Sequence, residues 1–118
     1  MPEESLVSLR LRVMKEWRKY YENPLKYVKA IKDIVKKADP EARVMIFGSL
    51  IKEGLRPDSD IDVLIITKLA ANTQNRLKLR TTIANAIGDS TPLEIHIITP
   101  EEYENWYAKT LDKHIEIS

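Results

Sequence analysis

The 118-residue chain contains no cysteine. Disulfides, thiolate zinc sites and cysteine nucleophiles are excluded with it. Two histidines far apart in sequence make a His-rich metal centre a poor expectation, so any bound metal should be a hard, oxygen-liganded cation. Charge of one sign is missing too: 19 Lys and Arg stand against 18 Asp and Glu. A net charge of +1 argues against a protein that coats nucleic acid by charge alone. No stretch approaches the roughly 20 apolar residues of a membrane span. The opening MPEESLVSLRLR lacks the basic-then-apolar order of a signal peptide, so a cytoplasmic chain with no membrane partner is expected. A single glutamine among many charges also fits a thermophile, a weak signal.

What is present is a 43% hydrophobic composition, enough for one real core in a chain of single-domain length. The expectation is one domain over 1–118, with a helical part at 1–40 and a core at 41–118. Its charge is uneven: residues 1–43 carry 11 basic and 7 acidic side chains, and residues 44–118 carry 8 and 11. Leu6, Leu9, Val13, Trp17 and Tyr20 fall at helical spacing and predict a helix over 5–22. Asn23-Pro24 starts a second helix, which Asp39-Pro40 ends near 38. Strands are predicted at 43–47, 60–67 and 93–98, with a helix over 72–87 opened by Asn72 and closed by Gly88. Thr99-Pro100-Glu101-Glu102 reads as a capping box for a helix to about 110, and HIEIS as a short edge strand. Between the first two strands there is room for a short helix and a loop. The fold class is α/β (α+β): a small mixed sheet of three to four strands, with helices mainly on one face.

The sharpest chemical feature is Asp58-Ser59-Asp60-Ile61-Asp62, where a strand begins. Strand side chains alternate, so Asp60 and Asp62 are expected on one face. Paired carboxylates repel unless a cation lies between them. Glu94 and His96 repeat the spacing on the next strand, and in register Glu94 would face the Asp pair. Three such carboxylates suit magnesium, which takes a few carboxylates and leaves its other positions to substrate phosphates. Taken alone, the Asp cluster is equally compatible with turn chemistry. An EF-hand is rejected, because Val63 stands at its sixth position and Leu69 at its twelfth. His96 reads as a neighbour of the site or a satisfied strand histidine rather than a ligand.

Gly48-Ser49 follows the first strand directly. Glycine there permits close approach of a ligand, and a helix turn beginning at Ser49 would offer N–H groups to phosphate. GSLIKEG is not a Walker A loop, since it lacks the Gly-Lys-Ser/Thr ending. Lys52 and Arg56 lie between the two features and could meet phosphate charge or simply be solvated.

Together, GSLIKEGLRPDSDIDVLI resembles the signature of the DNA polymerase beta type nucleotidyltransferase superfamily. The stretch Arg56–Asp62 is especially similar to its small prokaryotic group, the minimal nucleotidyltransferases. The motif covers residues 47–65, and the element order covers 24–110. The resemblance implies that Gly48 and Ser49 grip a nucleoside triphosphate, and that Asp60 and Asp62 bind two magnesium ions. It implies Glu94 as the third carboxylate and candidate base, at a position where many relatives carry Asp. One departure is the spacing of Gly54, which follows four residues, Leu50 to Glu53, where relatives often have three. The implied reaction transfers NMP, with ATP as the expected donor, to an acceptor hydroxyl. The acceptor comes from outside, in keeping with the missing cysteine nucleophile.

The group also implies an all-helical HEPN-type partner in a toxin–antitoxin pair, some members attaching AMP to a partner tyrosine. The alternatives are an antitoxin that neutralises such a partner by docking, with weak or lost catalysis, and a nucleotide-binding regulatory domain. Nucleic acid is not favoured as partner, and self-association is compatible with the sequence. Trp17, Tyr20, Tyr21, Tyr103, Trp106 and Tyr107 are expected mostly in the core, with a few free for an interface. The basic face bearing Arg12, Lys15, Lys19, Lys29, Lys32 and Lys36 is most simply solvated; its functional reading is a patch for an acidic partner or RNA.

Overall fold

Ser5 opens the first helix, its hydroxyl accepting the Ser8 N–H at 3.0 Å. In the computed structural model, which describes residues 5–47, 60–110 and 114–117, that helix is α1, Leu6–Glu22. Asn23 separates it from α2, Pro24–Ala38, with proline at the start, where its missing N–H costs nothing. The chain continues through β1, Arg43–Phe47, and β2, Ile61–Ile66. A short 3₁₀ turn, Lys68–Ala71, leads into α3, Thr73–Ile87, which is followed by β3, Leu93–Ile98. A last helical segment, α4 (100–110), has α-helical ends, Pro100–Glu102 and Ala108–Thr110, around a π-helical turn, Tyr103–Tyr107. The final element is β4, His114–Glu116.

Most of the expected elements are found within a residue or two. The strand expected from Asp60 to Thr67 is trimmed at both ends. Asp60 precedes it, and Thr67 is taken by the 3₁₀ turn, whose Leu69 N–H it accepts at 3.2 Å. The connection between the first two strands lies outside the described residues.

The four strands form one mixed sheet in the order β3-β2-β1-β4. β1 runs antiparallel to β2 and to β4, while β2 and β3 are parallel. A parallel pair cannot be closed by a tight hairpin, so the 3₁₀ turn and α3 make the crossover. Alternation then gives the sheet two different faces. Val44, Ile46, Val63, Ile65 and Ile97 join Tyr20, Tyr21, Val28, Ile31, Val35, Leu79, Ile83 and Ile87 in the main core. Helices α1, α2 and α3 thus cover one face. On the other, Met45, Leu64, Ile66 and Ile98 make a smaller cluster under Tyr103 and Tyr107 of α4. Each fully buried Ile or Leu contributes about 1.5–3 kcal/mol.

The continuous apolar face expected for α1 is only half used. Tyr20 and Tyr21 are buried and Trp17 packs against the core, but Leu6 is 84% exposed and Val7, Leu9 and Leu11 are exposed as well. A 17-residue helix is about 25 Å long, and the apolar side chains of its first turns stay exposed while Val13 and Met14 further on are half-buried. Of the six aromatics weighed above, two are buried and three half-buried, while Trp106 is 70% exposed. Tyr20 donates its hydroxyl to the carbonyl of Ile87 beside Gly88, whose φ of 109° permits the close approach. A Cβ at Gly88 would lie 2.7 Å from that hydroxyl oxygen, so only glycine fits there.

Asp39, just past α2, is 2% exposed and ties that helix to the end of β2. It accepts the Thr67 hydroxyl at 2.7 Å and the Glu41 N–H at 3.1 Å. Burial pushes its carboxyl up, but those hydrogen bonds and the nearby Lys68 charge outweigh burial and hold it below its ordinary range. A depressed carboxyl stabilises the fold above its unfolded value of about 3.9 and loses that contribution as pH falls through its folded value. Asp39→Ala should therefore cost roughly 2–3 kcal/mol at pH 7. In urea titrations the gap to wild type should persist at pH 5 and shrink below about pH 4. A gap independent of pH would assign the loss to packing instead.

Candidate metal-binding site

The register of β2 against β3 places Asp62 directly beside Glu94, and Leu64 beside His96. Asp62, Glu94 and His96 occupy the sheet face away from α1, α2 and α3, because their neighbours Ile61, Val63 and Ile95 belong to the main core. Along that face burial falls steadily toward the N-terminal ends of β2 and β3. Ile66, Ile98 and Leu64 are buried, whereas the side chains of Asp62, His96 and Glu94 are 22%, 29% and 54% exposed. Tyr103 and Tyr107 of α4 pack on the apolar cluster, and the three polar side chains lie at the other end of these strands. Phe47 of β1 pairs with Asp62 and lies against the His96 ring, centroids 5.5 Å apart.

His96 Nε2 is 3.6 Å from Asp62 Oδ1 and 3.8 Å from Glu94 Oε1. One donor atom from each of the three residues lies within 4.8 Å of the others. The chemistry of this set, two carboxylate oxygens and an imidazole nitrogen, fits a divalent cation.

Of the residues singled out above, Asp62 and Glu94 are brought together. Asp60 is described, one residue ahead of the strand and exposed, and is not part of this three-residue group. Gly48, Ser49, Lys52, Arg56 and Asp58 lie outside the described residues. His96, read from the sequence as a bystander, is drawn into the cluster. The signal was its two-residue spacing from Glu94, which puts both on one face of the same strand.

A second polar feature, at the far end of the same sheet, is of a different kind. The Arg43 guanidinium donates to both Glu116 oxygens, at 2.7 and 3.1 Å, and stacks 5.2 Å from the Tyr103 ring centroid. The hydrogen bond from Arg43 holds the Glu116 carboxyl below its ordinary range. Both side chains are more than one-third exposed, so the pair fixes the edge strand more than it stabilises the fold.

A family model described as nucleotidyltransferase domain matches residues 28–116, and the chain belongs to that family. Spectinomycin 9-adenylyltransferase of Campylobacter jejuni is 39% identical over 64 residues, which cover 50% of this chain and 25% of that protein. The enzyme of the same name from Staphylococcus aureus is 36% identical over 69 residues, 53% of this chain and 26% of that protein. The match thus spans about a quarter of these curated relatives. A crystal structure provisionally named a nucleotidyltransferase superposes with TM-score 0.64 at 27% identity, covering 76% of this chain and 96% of that one. A second, from Sulfolobus solfataricus, shares the fold with TM-score 0.55 at 18% identity, over 90% of this chain and 83% of that one. The family uses a nucleoside triphosphate and a divalent metal. No described helix is long and apolar enough to cross a membrane.

Asp62 and Glu94 set like charges on directly paired residues, which destabilises a sheet by up to about 1 kcal/mol. Glu94→Gln should thus raise the thermal midpoint in EDTA at pH 8 by roughly 1–4 °C. The gain should vanish or reverse in excess divalent cation, followed by circular dichroism. A variant destabilised in EDTA would show that the carboxylates do not oppose each other.

Proposed function

We propose that the chain transfers an adenylyl group from ATP to an acceptor hydroxyl in a magnesium-dependent reaction. The observation that carries this reading is the pairing of Asp62 with Glu94 at the exposed end of an otherwise apolar sheet face. In it, Asp60, Asp62 and Glu94 are the metal ligands, while Gly48, Ser49, Lys52 and Arg56 receive the triphosphate. Two divalent ions bound there would neutralise phosphate charge and lower the pKa of the acceptor hydroxyl. In this reading Glu94, the most exposed of the three clustered side chains, takes the proton of that hydroxyl. The acceptor oxygen forms a bond to the α-phosphorus, and the bond from that phosphorus to the bridging oxygen breaks. Pyrophosphate leaves with the bond's electrons. The similarity to enzymes named adenylyltransferases supports ATP over other nucleotides.

The acceptor in this reading is a hydroxyl on a helical protein partner of the HEPN type, in the cytoplasm. The exposed Leu6, Val7, Leu9 and Leu11 of α1 favour a protein partner, because exposed apolar side chains gathered at one helix end suit a docking surface. A second reading, transfer to a small polyhydroxylated molecule, is favoured by the spectinomycin 9-adenylyltransferases. Pure docking without transfer, as an antitoxin, is the remaining alternative.

Incubation with α-labelled ATP, magnesium and either a candidate helical partner or spectinomycin separates these readings. Label should pass to the protein and fall about 100-fold or more in Asp62→Asn and in Glu94→Gln. Label on spectinomycin alone would move the acceptor to the second reading. Tight partner binding without transfer, unchanged in both variants, would replace catalysis by docking.

A further inference from the structure

The proposed reaction employs Asp62 and Glu94 of the cluster but gives His96 no task. Its Nε2 atom is buried and has no hydrogen-bond partner among the described residues. At 3.6 and 3.8 Å from Asp62 and Glu94 it is too far to donate to either oxygen, yet it faces both. A buried ring nitrogen left unpaired costs free energy, and native structures rarely keep one without a reason. The ring does not drift away to find water, because Phe47 lies against it and its strand is locked between Ile95 and Ile97.

Ligands around a tetrahedral ion at about 2.0–2.1 Å stand roughly 3.4 Å apart. The two separations from His96 exceed that by only a few tenths of an ångström, and all three donor atoms lie within 4.8 Å of one another. Neutral imidazole suits zinc and other first-row transition ions, whereas magnesium prefers oxygen alone. The geometry points to His96 as a nitrogen ligand in the Asp62–Glu94 site. It would add affinity for a borderline divalent ion such as Zn²⁺ with little gain for the Mg²⁺ of the proposed reaction. This inference rests on the reading of Asp62 and Glu94 as metal ligands, and adds a third donor of a different kind. It departs from the opening expectation that only oxygen would serve as ligand.

The chain has only two histidines, which makes the test clean. Mn²⁺ is added to the full chain without nucleotide, and pulsed electron paramagnetic resonance reads nitrogen-14 modulation from a bound imidazole. Wild type should show the modulation, His114→Gln should keep it, and His96→Gln should lose it. By calorimetry, His96→Gln should weaken Zn²⁺ binding about 10-fold or more while changing Mg²⁺ binding less than about 3-fold. Circular dichroism melts confirm that each variant is folded, and His96→Asn serves if the Gln variant is not. Mn²⁺ bound in an Asp62-dependent way but without nitrogen modulation would overturn the role of His96 and leave the carboxylate site standing. Modulation that follows His114 would overturn it as well. No Mn²⁺ or Zn²⁺ binding up to millimolar concentration would overturn both this inference and the metal reading beneath it.

Discussion

The parallel pairing of β2 with β3 is the constraint on which the rest of the structure hangs. Ile61 stands beside Leu93, Asp62 beside Glu94, Val63 beside Ile95, and so on to Ile66 beside Ile98. A slip of one residue would turn the Asp62 carboxylate toward the main core and bring Val63 out to the opposite face. The apolar ladder of Val63, Ile65 and Ile97 beneath three helices makes that slip prohibitive. The position of the candidate site therefore follows from hydrophobic burial on the opposite side of the sheet. The carboxylates are held together against their charge.

The two faces of the sheet divide the labour. One face is covered by α1, α2 and α3 and is apolar along its length. The other is sealed only where Tyr103 and Tyr107 lie over Met45, Leu64, Ile66 and Ile98. The arrangement is anchored at the sealed end. Asp39 and Thr67 join α2 to the end of β2 through a buried, charge-assisted hydrogen bond. Arg43 and Glu116 join β1 to the edge strand in a more exposed setting, where an ion pair contributes little. Rigidity at one end of β2 leaves the other end to carry polar groups without disturbing the core.

Much of this was legible in the chain itself, and for identifiable reasons. Helices α2 and α3 have an apolar period, a start signal and a stop signal that agree, so their bounds were readable to within a residue or so. The strand runs are so rich in β-branched residues that no other assignment competes. The pairing of Asp62 with Glu94 was expected only on condition that the strands be in register, a fact no local pattern contains. The first half of α1 misled because periodicity records which side chains could be buried, not whether anything covers them. His96 misled for a related reason. A lone histidine on a strand is usually satisfied by a neighbour, and only the distances to Asp62 and Glu94 reveal that this one is not. Gly48, Ser49, Lys52 and Arg56 remain assigned by motif alone.

Stable domains avoid like charges on paired strands and avoid buried ring nitrogens without partners. This chain does both within three residues of one another in space, at the exposed end of an apolar sheet face. Violations scattered over a fold would suggest poor packing. Violations gathered at one place mark a site whose ligand, once bound, resolves all of them together. A divalent ion is such a ligand, since it cancels the repulsion of Asp62 and Glu94 and gives His96 Nε2 a partner. A domain retained only for docking would gain stability by losing these groups. Their presence is thus an argument for chemistry that is independent of any family likeness, because it depends only on what each group would cost if the site stayed empty.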